Sequence, residues 1–211
     1  MKTLIENPLA ALRAILPQTP PDMVGRDEFA AFPGMRAPEQ TVPIAAAVLI
    51  PVIAHPEPTL LFTLRTAHLA KHSGQISFPG GRRELADLSP VETALRETRE
   101  ETGIEPALVS IAGFLPRYRT GTGFDIAPVV GVLAPGFALT PDPREVAEIF
   151  EIKLSFFLDP ANVREMSRDL GGRSRRVHVF EPDGRTIWGI TAALLFDFAG
   201  RLNAGHAMKT S

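Results

Sequence analysis

Residues 89–104, SPVETALRETREETGI, constrain the fold of this chain more than any other stretch. Ser89 suits an N-cap, Pro90 the first helical position, and Glu92, three residues after Ser89, completes a capping box. Gly103 fits the left-handed position past the last turn, with Ile104 as its hydrophobic partner. The chain therefore contains a helix with both ends encoded locally. At about 100° per residue, Val91, Leu95, Thr98 and Thr102 fall within roughly 60° of one another, which is the stripe expected to be buried. Glu97, Glu100 and Glu101 share a neighbouring arc of about 100°. Arg96 stands at i,i+4 from Glu100, where the two can pair.

Three carboxylates at i, i+3 and i+4 repel by roughly 0.2–0.5 kcal/mol per pair in water. Partly buried, they raise one another's pKa unless a cation compensates. A hard divalent cation does so well, since Mg²⁺ prefers carboxylate, water and phosphate oxygens. A solvated charged helix face is the plain alternative for a bare E-x-x-E-E. The upstream run ISFPGGRRELADL bears on that choice. Gly80 and Gly81 let the backbone approach a partner closely, and Asp87 follows just before the cap.

Along the 211 residues, 3–16 read as a short amphipathic helix on Leu4, Ile5, Leu9, Leu12 and Leu16. Six prolines then mark 17–43 as an extended lead-in. The expected organisation is an N-terminal helix and proline-rich extension over 1–40, one domain over 41–203 and a tail over 204–211. Strands are expected at 44–53, 59–65, 76–78, 108–115 and 126–133, and a turn of helix at 145–150. A hairpin is expected around Pro182-Asp183-Gly184 and a helix over 190–202. One polar helix among strands and one late helix make an α/β (α+β) sandwich.

Composition narrows the function. Lys+Arg total 22 against 24 Asp+Glu, a net charge of −2, which excludes a strongly basic nucleic-acid-binding domain. Cysteine is absent, so thiolate metal sites, disulfides and cysteine nucleophiles are excluded, leaving oxygen and histidine ligands. The N-terminus does not read as a secretion signal, and no apolar run reaches the ~20 residues of a membrane helix. A cytoplasmic protein with no nucleic-acid or membrane partner is expected. A homodimer is one way to pack the proline-rich segment.

Gly81, Asp87, Arg96, Glu97, Glu100, Glu101, Gly103 and Ile104 resemble the Nudix box, G-x5-E-x7-R-E-U-x-E-E-x-G-U. Asp87 stands where glutamate is usual, eight residues rather than seven precede Arg96, and Thr98 occupies an aliphatic position. The run LLFTLRTAHLAKHSGQISFPGG is similar to the motif of the coenzyme A pyrophosphatase branch through Thr63, Arg65, His72, Gly74, Ile76 and residues 78–81. Ala70, beside Lys71, replaces a basic residue of that motif. LPRYRTGTGFDIAPVVG and IWGITAALL resemble the same branch. The resemblance implies an α/β/α sandwich around a mixed sheet, with the box as a catalytic loop–helix–loop. It also implies Mg²⁺- or Mn²⁺-dependent hydrolysis of a small-molecule nucleotide, coenzyme A or its thioesters, to 3′,5′-ADP and 4′-phosphopantetheine.

By position Glu97 and Glu101 are the leading metal ligands, one helical turn apart. Glu100 is a third ligand or the general base, and its pairing with Arg96 favours a held, ionised ligand. Glu145 and Glu148 are further acid candidates, as is Asp87; surface charge is the alternative reading for the two glutamates. Arg65, Lys71 and His72 are candidates for phosphate contact. Arg117, Tyr118 and Arg119 form a basic loop with one aromatic, suited to phosphate contact and adenine stacking. Phe114 and Trp188 read as core. Two other functions stay open: a Nudix pyrophosphatase for ADP-ribose, dinucleotides or other nucleoside diphosphate derivatives, and a non-catalytic Nudix-fold nucleotide-binding module.

Overall fold

The structure, a computed structural model, describes residues 4, 6–21, 43–67, 74–169 and 174–207. Its first described helix, α1 (Pro8–Arg13), follows a break at Asn7. Proline bars the residue before it from helical backbone, and the Asn7 side chain instead accepts the Ala10 amide at 3.0 Å. The single helix expected over 3–16 is thus interrupted. Its leucines are nevertheless at work, since Leu4, Leu12 and Leu16 are buried in the main core.

Strands β1 (Ile44–Ile53), β2 (Thr59–Arg65), β3 (Ile76–Ser77) and β4 (Gly80–Arg82) lead into helix α2 (Pro90–Thr102). Then come β5 (Ser110–Phe114), β6 (Tyr118–Arg119), β7 (Phe124–Leu133) and β8 (Val146–Lys153). These eight strands form one sheet with the path β3-β2-β1-β7-β5, while β4 joins β1, β6 joins β7 and β8 joins β2. Only β1 and β7 are parallel to each other, over ten rungs, and both are apolar on both faces. Each carries a proline in a fork. Pro51 lies between the β1 residues paired to β4 and those paired to β2. Pro128 lies between the β7 residues paired to β6 and those paired to β5. The missing amide therefore falls where each strand changes partner.

Helix α2 covers one face through Ala94, with Ala47, Leu49, Ala127 and Val129 beneath it. The other face is larger. Ile50, Val52, Leu60, Phe62, Val130 and Val132 meet helices α3 (Leu154–Leu158) and α4 (Gly189–Ala207) there. A three-stranded sheet, β11-β10-β9, completes that layer from β9 (Val163–Asp169), β10 (Ser174–Phe180) and β11 (Ile187–Trp188). The result is the expected α/β/α sandwich on a mixed sheet. No helix among the described residues is long and apolar enough to cross a membrane.

Of residues 145–150, expected as a turn of helix, Glu145 lies in a turn and 146–150 belong to strand β8, antiparallel to β2 over seven rungs. Val146 and Ile152 are buried while Ala147, Glu151 and Lys153 are exposed, and the non-local pairing with β2 decides the conformation. The strand expected over 108–115 starts later, because Pro106–Leu108 forms a 3₁₀ turn. The hairpin around Pro182-Asp183-Gly184 is present, with Asp183 and Gly184 at positive φ of 49° and 75°. Helix α4 runs on to Ala207, into the span expected as a tail.

Candidate active site

Helix α2 is built as its sequence dictates. The Ser89 side chain accepts the Glu92 amide at 3.2 Å, and Gly103 takes φ 76° while donating to the Arg99 carbonyl at 2.9 Å. Glu92 reaches back to the Leu88 amide at 2.7 Å, one residue before the expected partner. The buried side is turned from the expected stripe. Ala94, Thr98, Glu101 and Thr102 are buried, while Val91 and Leu95 are half-buried. The threonines tolerate this because each hydroxyl donates to the carbonyl four residues back, at 2.6 Å.

The same rotation buries a carboxylate. Glu101 is 3% exposed. Its Oε2 accepts the Gly80 amide at 3.4 Å, and Arg65 Nη1 stands 3.6 Å from its Oε1. Burial pushes the Glu101 carboxyl up to about 8; Arg65 and the Gly80 amide oppose this, while the Glu97 and Glu145 charges add to it. Burial also raises Glu97, against the pull of Arg96 and with the repulsion of Glu100 and Glu145. Gly81 makes the close approach possible, since a Cβ there would run into the Glu97 carboxyl group. Gly80, at φ 154°, leaves no room for a side chain against the Ala47 carbonyl and Val48.

Two guanidiniums, Arg65 and Arg96, among the carboxylates of Glu97, Glu100, Glu101 and Glu145 leave negative charge in excess, and a hard divalent cation fits that donor set. Among the described residues no three acidic or histidine side chains converge on one point. Mg²⁺ prefers a mixed shell of carboxylate, water and phosphate oxygens.

Arg96 ties the surrounding loop to the helix. Its Nε and Nη2 donate to the two oxygens of Asp87 at 3.1 and 3.0 Å, and Nη2 also to the Arg82 carbonyl at 2.8 Å. Its Nη1 reaches Glu97 at 3.1 Å and Glu100 at 3.0 Å. Asp87 also accepts the Glu84 amide and the Thr93 hydroxyl, at 2.9 and 3.0 Å. The Arg96 hydrogen bonds, against burial and with help from those two donors, hold its carboxyl down to about 2. Asp87 thus acts as a buttress for Arg96.

A family model described as NUDIX domain matches residues 43–177. The chain belongs to the Nudix family. An uncharacterized Nudix hydrolase, NudL, of Pectobacterium atrosepticum is 38% identical over 178 residues, covering 84% of this chain and 92% of the relative. The NudL of Yersinia enterocolitica is 40% identical over 158 residues, covering 75% and 81%. Among solved structures, a MutT/nudix family protein from Enterococcus faecalis is similar at 16% identity and a TM-score of 0.47, covering 77% of this chain and 62% of that one. The chain is accordingly a Nudix hydrolase, a family that generally uses divalent metals such as Mg²⁺ or Mn²⁺.

The remaining sequence candidates divide around this Nudix centre. Glu100 is on the solvent side of the helix, held by Arg96. Glu145, at the start of β8, is close enough for its charge to act on both Glu97 and Glu101. Glu148 is on the opposite face of the sheet, level with Leu64, and makes two bonds of 2.8 and 2.9 Å with Arg185, whose guanidinium lies 4.0 Å over the Phe150 ring. Arg117, expected on a basic loop suited to phosphate contact, is instead 2% exposed, with Nη1 3.0 Å from Asp125. Tyr118 is buried in the main core, not displayed for stacking, and burial and Asp197 push its hydroxyl pKa up. Tyr118 pairs with Ile126 of β7, and Arg117 directly precedes that rung. Arg119 is half-buried. Lys71 and His72 lie outside the described residues. Thr66 and Asp142 went unnoticed in the sequence. The proline-flanked Pro141-Asp142-Pro143 was a usable signal for an ordered turn.

Proposed function

We propose that this Nudix hydrolase cleaves the pyrophosphate bond of coenzyme A or its thioesters, with Mg²⁺ or Mn²⁺, to 3′,5′-ADP and 4′-phosphopantetheine or its acyl form. The observation behind the substrate is a meeting of distant segments. The two stretches that resemble the coenzyme A branch, residues 60–81 and 187–195, adjoin at one end of the sheet, where the Thr191 hydroxyl donates to the Ile76 carbonyl at 3.1 Å. The proposed setting is cytoplasmic, with a free nucleotide as substrate.

In this reading Glu97 and Glu101 hold the cation, and Glu100 supplies a further carboxylate at the solvent edge. When bound, the cation supplies charge neutralisation at the phosphate oxygens and activation of the attacking water. Glu145 takes the proton as the water oxygen bonds to phosphorus and the bridging P–O bond breaks. Arg65 opposes the developing phosphate charge beside Glu101, and the Gly80-Gly81 backbone lets the substrate approach closely. Arg96, fixed by Asp87, keeps Glu97 oriented. Arg65, Arg119, Lys71 and His72 are the candidates for contact with the 3′-phosphate, while Asp125 engages Arg117.

Steady-state hydrolysis of coenzyme A, dephospho-coenzyme A and ADP-ribose tests this. A charge-assisted contact to the 3′-phosphate is worth roughly 1.5–3 kcal/mol, so kcat/KM for coenzyme A should exceed that for dephospho-coenzyme A by at least about tenfold. Equal efficiency, or faster cleavage of ADP-ribose, overturns the coenzyme A reading and leaves a Nudix pyrophosphatase of another specificity.

A further inference from the structure

We infer that Thr66 is a positioning residue for Glu145, the acid assigned above as the proton acceptor, by clamping the chain that carries it. The inference rests on the hydrolase reading above and deepens it.

Residues 140–146 form a strap from the C-terminal end of α2 to the end of β2. At one end the Thr140 amide donates to the Thr102 carbonyl at 2.8 Å, and the Asp142 amide to the Glu101 carbonyl at 3.2 Å. Both acceptors are last-turn carbonyls that the helix leaves without an internal partner. In the middle, the Asp142 carbonyl accepts the amides of Glu145 and Val146, at 3.0 and 2.8 Å, and closes a tight turn. At the far end the Asp142 carboxylate accepts the Arg144 amide at 2.9 Å from within the turn, and Thr66 ties the turn to β2. The Thr66 amide donates to the Glu145 carbonyl at 3.0 Å and its hydroxyl to the Arg144 carbonyl at 3.1 Å.

Thr66 is buried, 5% exposed, while Arg144 and Glu145, which it holds, are exposed. It also follows Arg65, the guanidinium beside Glu101. One residue therefore fixes the spacing between that cation and the carboxylate at the start of β8. The register of β2 against β8 shifts at this point, between Leu64 and Arg65, so the regular ladder does not set the position of Glu145. The hydroxyl supplies the constraint that the ladder lacks.

Thr66→Val keeps the shape and removes the hydroxyl, leaving the Arg144 carbonyl without its donor. Misplacement of a reacting group by under an ångström suffices for a drop in kcat of about 10- to 100-fold, with KM changed by less than about threefold. Thr66→Ser should recover most of the rate. In an Glu145→Gln background, Thr66→Val should change kcat by less than about twofold, because a positioning effect vanishes with the group positioned. In metal-free protein, amide hydrogen exchange across residues 140–146 should quicken in Thr66→Val while the melting temperature stays within a few degrees. A full additional loss in the Glu145→Gln background, unchanged kcat in Thr66→Val, or unchanged exchange across the strap overturns the inference and leaves the hydrolase reading intact. Absence of turnover by the wild type on every nucleotide pyrophosphate overturns both.

Discussion

Replacing Glu101 by Gln preserves the shape of the side chain and removes its charge, and two opposite effects are expected. Turnover at saturating Mg²⁺ should fall by roughly 10³-fold or more, as when a main electrostatic element of a site is lost. Near-wild-type rates would remove Glu101 from the metal-binding set. Stability without metal should move the other way. The Glu101 carboxyl is held at about 8 in the fold against an ordinary value of 4.5. Its protonated form therefore suits the fold, and the chain loses stability as pH rises from 4.5 to 8, with the full penalty above 8. In chelator at pH 8.5, Glu101→Gln should melt above the wild type, and the gap should close below about pH 5. A gap independent of pH in thermal melts would refute the buried charge as its source.

At the level of single elements, α2 and the loop before it gather carboxylates that repel until a cation arrives. Millimolar Mg²⁺ or Mn²⁺ should raise the melting temperature, since the unfolded chain has no such cluster; tenfold excess over Kd corresponds to roughly 1.4 kcal/mol. An unchanged melting temperature would remove the cluster as a cation site. How much was legible in the sequence differs between elements for a physical reason. Helix α2 was readable because Ser89, Pro90, Glu92 and Gly103 act within a few residues of the backbone they fix. Strands β1 and β2 were readable as apolar runs bounded by turns. Strand β8 was not, because VAEIFEIK carries no clean period and takes its conformation from β2, some eighty residues earlier in the chain. The site divides in the same way. Glu97 and Glu101 follow from helical spacing, but the inward turn of Arg117 follows from Asp125, which no local pattern announces. The burial of Glu101 rather than Leu95 depends on how the helix is rolled on the sheet, and Gly81 leaves the room that the Glu97 carboxyl occupies in that orientation.

For the whole molecule, the N-terminal segment is structural. Arg13 and Gln18 donate to the carbonyls of Ile111 and Ala112, and the Phe114 amide donates to the Pro17 carbonyl, so this segment covers the free edge of β5. Removing residues 1–20 would uncover that edge and take three buried leucines from the core, at roughly 1.5–3 kcal/mol each. That approaches the whole stability of an ordinary domain. The truncated chain should therefore lose its cooperative melt and elute as aggregate; a monomer with an unchanged melting curve would contradict the packing described. The two prolines in the forks of β1 and β7 have a consequence of another kind. Strands buried on both faces have no in–out alternation to tell one alignment from the next, so a slip by one residue would bury much the same oil. Pro51 and Pro128 make such slips distinguishable. Any shift carries a residue without an amide into a rung that requires a donor, and pulls an amide into the fork that has none to satisfy. Each proline therefore penalises a misaligned pairing that hydrophobicity alone would accept, the alignment of β1 with the β4 residues Gly80 and Gly81 included.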